Sequence, residues 1–368
     1  MQSLFALDQC NEATYELCFE KIKEKFSPNL NSMEVQPKEL LAGQRKETAE
    51  VFKKIFKNNW EPMEHEDSAI LSFLLELKSY YMVQTKKDAQ FLRKSLIKET
   101  EEIYGFYLDI LTLLMAFKEV AEADKKVNHR SLIENPWILA LQGNPLLNKE
   151  AKREGRDWHQ RMDRVRVWFR DVVRQDGEYQ LYLDLSHPTI EDHKKFIQHL
   201  VRRIILGKSV IHDFFEEESL RWAEDKEIVK GMVDKTIKSF AGDLTEGISL
   251  HKLSLNWEED LAFLEILFSE TIKLDPLYKN LISKNTRNWE VDRLPLTDRI
   301  VLEMAITEAL FFPGIPVKVT MNEYIELAKH YSTPKSRQFI NGILDVILNQ
   351  LKEEGTLKKS GKGLMDNK

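Results

Sequence analysis

Apolar residues recur along most of this chain at spacings of three and four, and alternation of period two is rare. That pattern predicts helices and argues against sheets, so the expected fold class is all-α. Residues 85–122 read as one long helix, or as two with a break at Gly105. Within it Tyr104, Phe106, Tyr107, Leu108, Ile110, Leu111, Leu113 and Leu114 are apolar nearly all round, the pattern of a helix buried between others. Breaks are expected at Asn135-Pro136, Asn144-Pro145, His187-Pro188 and Asp275-Pro276. Ser186 and Thr189 are candidate N-caps for a helix running to about Gly207, and residues 224–240 form another.

The glycines and small polar residues of 241–256 suggest an irregular connection. Beyond it the periodicity predicts helices over 257–272, 276–287 and 296–312. A fourth starts from Pro316, and a last one starts near Ser336 after the Ser332-Thr333-Pro334 interruption. Together they make a compact bundle. The Gly- and Lys-rich tail, 355–368, is expected to be disordered.

The chain has 368 residues, enough for two domains or for one with a large extension. Its 54 Lys and Arg against 60 Asp and Glu give a net charge of −6, so any nucleic-acid contact must come from a local patch. Cys10 and Cys18 are the only two cysteines, too few for a disulfide framework or a multi-cysteine zinc module. No apolar run approaches a membrane span, and the first twenty residues hold no Lys or Arg, so no secretory signal is read. A cytoplasmic protein without membrane contact is the expectation.

Catalytic patterns are wanting. Gly207-Lys208-Ser209 looks like the end of a phosphate loop, but Arg202 stands where its first glycine belongs, so a helix C-terminus at Gly207 is the better reading. No histidine pair has metal-ligand spacing, and Gly242 and Gly247 make no dinucleotide fingerprint. No catalytic residue, metal or cofactor is expected.

Two surfaces are candidates for binding. Residues 149–174 hold nine Lys or Arg against five Asp or Glu, with Trp158, Trp168 and Phe169 interleaved. Arginine with aromatics suits phosphates and stacked bases, and Arg161, Arg164 and Arg166 are its centre. The plainer alternative turns the aromatics inward and pairs the arginines with Asp157, Asp163 and Asp171. The second surface is STPKSRQF, residues 332–339, where Lys335 and Arg337 open the last helix and Phe339 either stacks a base or plugs the core.

Two C-terminal segments carry a resemblance. They are LISKNTRNWEVDRLPLTDRIVLEMAITEAL and IPVKVTMNEYIELAKHYSTPKSRQFINGILD, with the ordered pieces P-V-K-V-x-x-N-E-x-I-E-L-A-K and F-I-N-G-I-L-D. Residues 277–351 thereby resemble the NusB (N-utilisation substance B) family of bacterial transcription antitermination factors. Residues 220–240 are similar to the longer form found in the Bacteroidetes group, and Gln2, Leu4 and Phe5 match the end of the family's first helix. The resemblance implies a NusB-like helical bundle split by a large helical insertion. Its parts would be 1–26, an insertion over 27–255, a C-terminal bundle over 256–352 and the tail from 353.

It also implies a non-enzymatic factor that binds boxA-type single-stranded RNA together with the ribosomal protein NusE, in the RNA polymerase antitermination complex. Carried over by position, the RNA side would be Lys335, Arg337, Gln338 and Phe339, and the NusE side Phe5 and Asp298 with Arg299 and Glu303. The family's first helix opens on arginines, which residues 1–20 lack, and Arg161, Arg164 and Arg166 are candidates to replace them. Asn341-Gly342 costs about 1 kcal/mol inside a helix, which a close helix–helix approach would offset. Asn322, Glu323, Glu326 and Lys329 read as a structural polar network on one helix. A protein-binding scaffold without RNA contact stays open, as does the RNA-binding domain of a ribosomal-RNA cytosine methyltransferase.

Overall fold

The computed structural model describes residues 1–28, 37–61, 67–285 and 294–367, and every regular element among them is helical. Residues 286–293, within the first segment of the NusB resemblance, lie outside the described residues. The chain forms two compact units, Met1–Leu96 with Glu259–Lys368 and Ile97–Glu258. The insertion expected over 27–255 thus falls in both units.

The first unit has two cores. α1 (Gln2–Lys25) serves both of them. Its Cys18 and Ile22 pack with Phe52 and Ile55 of α2 (Lys38–Lys57), with Trp60, and with Ile70, Phe73, Leu74 and Leu77 of α3 (Ser68–Ala123). This core is aromatic: the Phe52 ring lies edge-on to Phe19 and Trp60 and is stacked with Tyr15. The Leu4 and Leu7 end of α1 instead joins the C-terminal helices. These are α12 (Trp257–Ile272, in this unit from Glu259), α13 (Pro276–Asn285), α14 (Leu296–Phe311), α15 (Val317–Tyr331) and α16 (Pro334–Glu353). α12 and α14 fall within a residue of the bounds the periodicity predicts; α16 starts at Pro334, two residues before Ser336, and the expected end of α13 at 286–287 lies outside the described residues.

α14 is buried on every side, from Ile300 and Val301 to Ala309. α1, α13, α15 and α16 cover it. Tyr324 of α15 donates a 3.0 Å hydrogen bond to the buried Glu308 of α14, which satisfies a carboxylate that burial pushes towards its neutral form. The tail is ordered: Ser360 N–H donates to the Pro313 carbonyl and a 3₁₀ segment covers Gly361–Asn367.

The second unit is built on the other all-round apolar helix. From Gly105 to Leu114 every residue of α3 is buried. α4 (Arg130–Ile133), α5 (Pro136–Gln142), α6 (Pro145–Glu154), α7 (Met162–Trp168), α8 (Gly177–Leu183), α9 (Ile190–His199), α10 (Ser209–Glu218) and α11 (Trp222–Lys238) supply its surroundings. Asn135 and Asn144 cap α5 and α6, each followed by proline at the first helical position. Thr189 caps α9 in a reciprocal box with Asp192.

Gly105 does not break α3. A Cβ there would lie 2.7 Å from Arg156 Nη2, so the glycine makes room for a guanidinium laid against the helix. Arg156 donates to Asp109 at 2.6 Å, pairs with Glu102 and lies over the Phe106 ring. Beside it Trp158 takes a left-handed backbone, φ 59°, held by its buried indole N–H on the Asp109 carbonyl at 2.9 Å.

α7 and α9 each continue as a π-helical turn, Phe169–Val173 and Leu200–Ile205. The apolar pattern explains the second. Phe196-Ile197, Leu200-Val201 and Ile204-Ile205 are all buried and recur every four residues. An α-helix has 3.6 residues per turn, so that pattern would drift by about 40° at each repeat. One wider turn restores it to the core. Val165, Phe169 and Val173 repeat the same spacing. Gly207 follows the end of this segment, as a helix C-terminus should.

Burial pushes the Asp109 carboxyl up to about 6 while Arg156 pulls it down. Arg156→Met should cost about 3–5 kcal/mol near neutral pH, because it leaves that buried carboxylate unpaired. A carboxyl whose folded pKa exceeds its unfolded one costs stability increasingly as pH rises from the unfolded value to the folded one, and losing Arg156 raises the folded value further, so the added deficit appears above the Asp109 value of about 6. The deficit of Arg156→Met in urea melts should therefore shrink between about pH 7.5 and about pH 4.5. Equal deficits at both would exclude Asp109 as the source.

Candidate functional site

The corner between α15 and α16 is made by Ser332 and Thr333. The Thr333 hydroxyl accepts the Ser336 N–H at 3.2 Å and Pro334 takes the first helical position, so α16 has an ordinary cap. That geometry points Lys335, Arg337 and Gln338 to solvent. Neither Lys335 nor Arg337 has a carboxylate at ion-pair distance among the described residues. Arg337 and Gln338 line an open groove of about 810 Å³ with Asn322, Glu326, Lys329 and Asn341. Glu326 and Lys329 pair as the spacing predicts, and Asn322, Glu326 and Lys329 are exposed on the groove.

Three expectations at this corner need correction. Phe339 is half-buried and packed against the C-terminal core, so its ring plugs the core. Gly342 has no close helix beside it: a Cβ there would meet nothing within 4 Å, and both Asn341 and Gly342 are exposed. Asp298 is only 2% exposed and accepts a hydrogen bond from Ser332 Oγ. It is neither a helix cap nor a free partner-binding carboxylate. It ties the start of α14 to the α15–α16 corner, through a residue distant in sequence that no local pattern reveals.

The other residues expected on a partner face do meet. Arg299 pairs with Asp8 of α1, and Asp8, Lys279, Arg299 and Glu303 line a pocket of about 180 Å³. Burial raises the Glu303 pKa, while Lys279 and Arg299 pull it down. Phe5, 37% exposed, stands one turn before Asp8 on α1. Asp8 and Lys279 were not singled out from the sequence, although Asp8 lies three residues from Phe5, on the same helix face.

The arginine-rich stretch lies in the second unit. Trp158, Trp168 and Phe169 are buried in its core, so they cannot stack bases. Arg161 and Arg164 lie over the Phe214 ring and pair with Glu218 and Glu217 of α10; Arg166 pairs with Asp163 at 2.7 Å. The inward-facing alternative is the one the structure shows for the aromatics. The arginine partners are only in part those expected: Asp163 and Asp171 serve, Asp157 does not, and α10 supplies the rest.

The histidine spacing overlooked one group. Ligand atoms of His212, Asp213 and Glu216 lie within 4.8 Å of one another at the surface of α10, and His212 pairs with Glu216 across one turn. No helix among the described residues is long and apolar enough to cross a membrane.

Residues 226–349 match the NusB family. The chain is 47% identical over 133 residues to the transcription antitermination protein NusB of Salinibacter ruber, covering 34% of this chain and 83% of that protein. It is 48% identical over 85 residues to the protein of the same name from Chloroherpeton thalassium, covering 23% of this chain and 40% of that one. Against that of Natranaerobius thermophilus it is 42% identical over 100 residues, covering 27% and 71%. No solved structure matches the chain.

An exposed mid-helix glycine with open space around it carries a propensity cost that no packing offsets. Gly342→Ala should therefore stabilise the protein by about 0.5–1 kcal/mol. A lower urea midpoint would show that the position is strained in the native state.

Proposed function

This chain belongs to the NusB family, and from that membership we propose that it is a non-enzymatic transcription antitermination factor that binds boxA-type single-stranded RNA together with the ribosomal protein NusE. The names of the three relatives support the first half of this reading. The single observation that carries the RNA half is the α15–α16 groove, which lies inside the family match. Lys335 and Arg337 offer exposed positive charge for phosphates, neither with a carboxylate at ion-pair distance among the described residues, although Arg337 feels the Glu326 carboxylate. Gln338, Asn322 and Asn341 offer amides that can read the edges of unpaired bases. Phe339 serves by holding the first turns of α16 against the core.

The NusE contact is assigned to Phe5 and to the charged pocket of Asp8, Lys279, Arg299 and Glu303. Asp298 contributes through the Ser332 corner. Arg161, Arg164 and Arg166 take a secondary part in RNA contact at most, since each already has a carboxylate. α1 and residues 256–352 make the family's domain in this reading, within the RNA polymerase antitermination complex and in the cytoplasm.

Fluorescence-anisotropy titration of a boxA-type RNA at two salt concentrations tests the RNA half. Lys335→Glu with Arg337→Glu should weaken binding at least about tenfold and flatten the log–log salt slope by about 1.4, near 0.7 for each phosphate contact on a single strand. Unchanged affinity and slope would remove the groove from RNA binding. Phe5→Ala should weaken NusE binding, read by calorimetry, without lowering the melting temperature or RNA affinity. Wild-type NusE affinity in that variant would place the partner elsewhere.

A further inference from the structure

The second unit carries a basic groove that no sequence patch singles out; its α11 wall lies at the start of the family match and its α9 wall before it. It runs between the C-terminal half of α9, with its π turn, and α11. The four-residue repeat that turns Leu200-Val201 and Ile204-Ile205 inward sets the opposite stripe of the helix in equally straight register. Gln198-His199, Arg202-Arg203 and Leu206-Gly207 all line the groove. Had the segment stayed α-helical throughout, this stripe would wind away from α11 by about 40° at each repeat. The π turn is what sets two arginines in line along the groove.

α11 supplies the other wall with Lys226, Glu227, Lys230 and Asp234. Two arginines and two lysines thus face two carboxylates. Arg202 is held by Asp234 in a two-pronged pair at 3.0 and 2.7 Å, and Lys230 by Glu227 at 2.8 Å. His199 is engaged by Asp176 at 2.9 Å. Arg203 and Lys226 have no carboxylate at ion-pair distance among the described residues. The groove's fixed charge is positive although the whole chain is acidic. Its one large apolar lining residue, Leu206, is 2% exposed and belongs to the core. A protein-binding hot spot needs an apolar pocket for an anchor side chain, and none is offered. An open, polar, cationic channel suits a flexible polyanion.

We propose that this groove binds the phosphate backbone of single-stranded RNA, as a sequence-independent contact separate from the α15–α16 corner. The inference rests on the reading of the chain as an RNA-binding protein, but it does not require boxA recognition. Arg203 and Lys226 contact phosphates directly, and Arg202 and Lys230 add field from within their ion pairs.

The test uses the full chain and two fluorescent single-stranded RNAs of about 30 nucleotides, one with a boxA-type element and one with that element scrambled, titrated over a range of salt. Arg203→Glu with Lys226→Glu should weaken both RNAs by the same factor, about tenfold, and flatten both salt slopes by about 1.4. Glu227→Gln, which frees Lys230, should strengthen both. Lys86→Glu with Lys87→Glu makes the same change of net charge at exposed positions elsewhere and should have a smaller effect on both RNAs. Circular dichroism confirms that each variant is folded.

If wild-type protein fails to prefer the boxA-type RNA while the groove variant still weakens both RNAs, the boxA reading fails and the groove stands. If the groove variant keeps wild-type affinity and slope on both, the groove proposal is overturned, including the case where it loses an acidic protein partner instead. An equal loss in the Lys86 and Lys87 control also overturns it, because the effect is then net charge alone.

Discussion

A helix that is buried nearly all round can persist in water only if other helices cover it, and the described residues contain two. One is α14, with its buried run from Ile300 to Ala309. The other is the Gly105–Leu114 stretch of α3. Each of the two compact units contains the covering of one such helix, and the first unit has the aromatic core of α1, α2 and α3 besides. This explains why the first residues of the chain pack with its last third: α14 needs Leu4 and Leu7 of α1 to close its surface. It also explains why the division between units falls within α3, whose Ala89, Leu92 and Leu96 pack on one core and whose residues from Ile103 enter the other.

Complete burial forces polar groups on these helices to find partners inside the protein, because an unpaired buried carboxylate is costly. Asp109 takes Arg156, Glu308 takes Tyr324 and Asp298 takes Ser332. Each pairing fixes the position of a more distant element. The Arg156 pairing sets the Trp158 backbone against α3, and the Asp298 pairing sets the α15–α16 corner, from which Lys335 and Arg337 project. The α15–α16 groove is thus positioned by a buried contact.

The candidate surfaces follow from what the cores leave over. Gly342 is exposed with open space around it, and the amides of Asn322, Gln338 and Asn341 line the α15–α16 groove. In the second unit the same residue types behave differently according to geometry. The arginines of 161–164 lie over Phe214 and pair with carboxylates of α10, whereas Arg202 and Arg203 line a groove in which Arg202 pairs with Asp234 and Arg203 has no carboxylate at ion-pair distance among the described residues. Density of arginine in the sequence marked the first group. Orientation distinguishes the second.

Much of the fold was legible in the sequence alone. Apolar spacing located the helices, Asp275-Pro276 marked the start of α13 and Thr189 that of α9, and the Ser332-Thr333-Pro334 interruption placed the start of α16 to within two residues. These features act within a few residues, so they are written locally. The ordered C-terminal motifs also carried the family. Which charges are free was decided only by the tertiary structure. Asp298 meets a residue 34 positions away, Arg156 one 47 away and Arg299 one 291 away. Gly105 reads as a break until Arg156 is laid against it, and the strict four-residue repeat at 196–205 gains its meaning only when the core selects a π turn. Helix propensity depends on neighbours along the chain, whereas the fate of a charged or exposed side chain depends on neighbours in space, and packing alone brings those together.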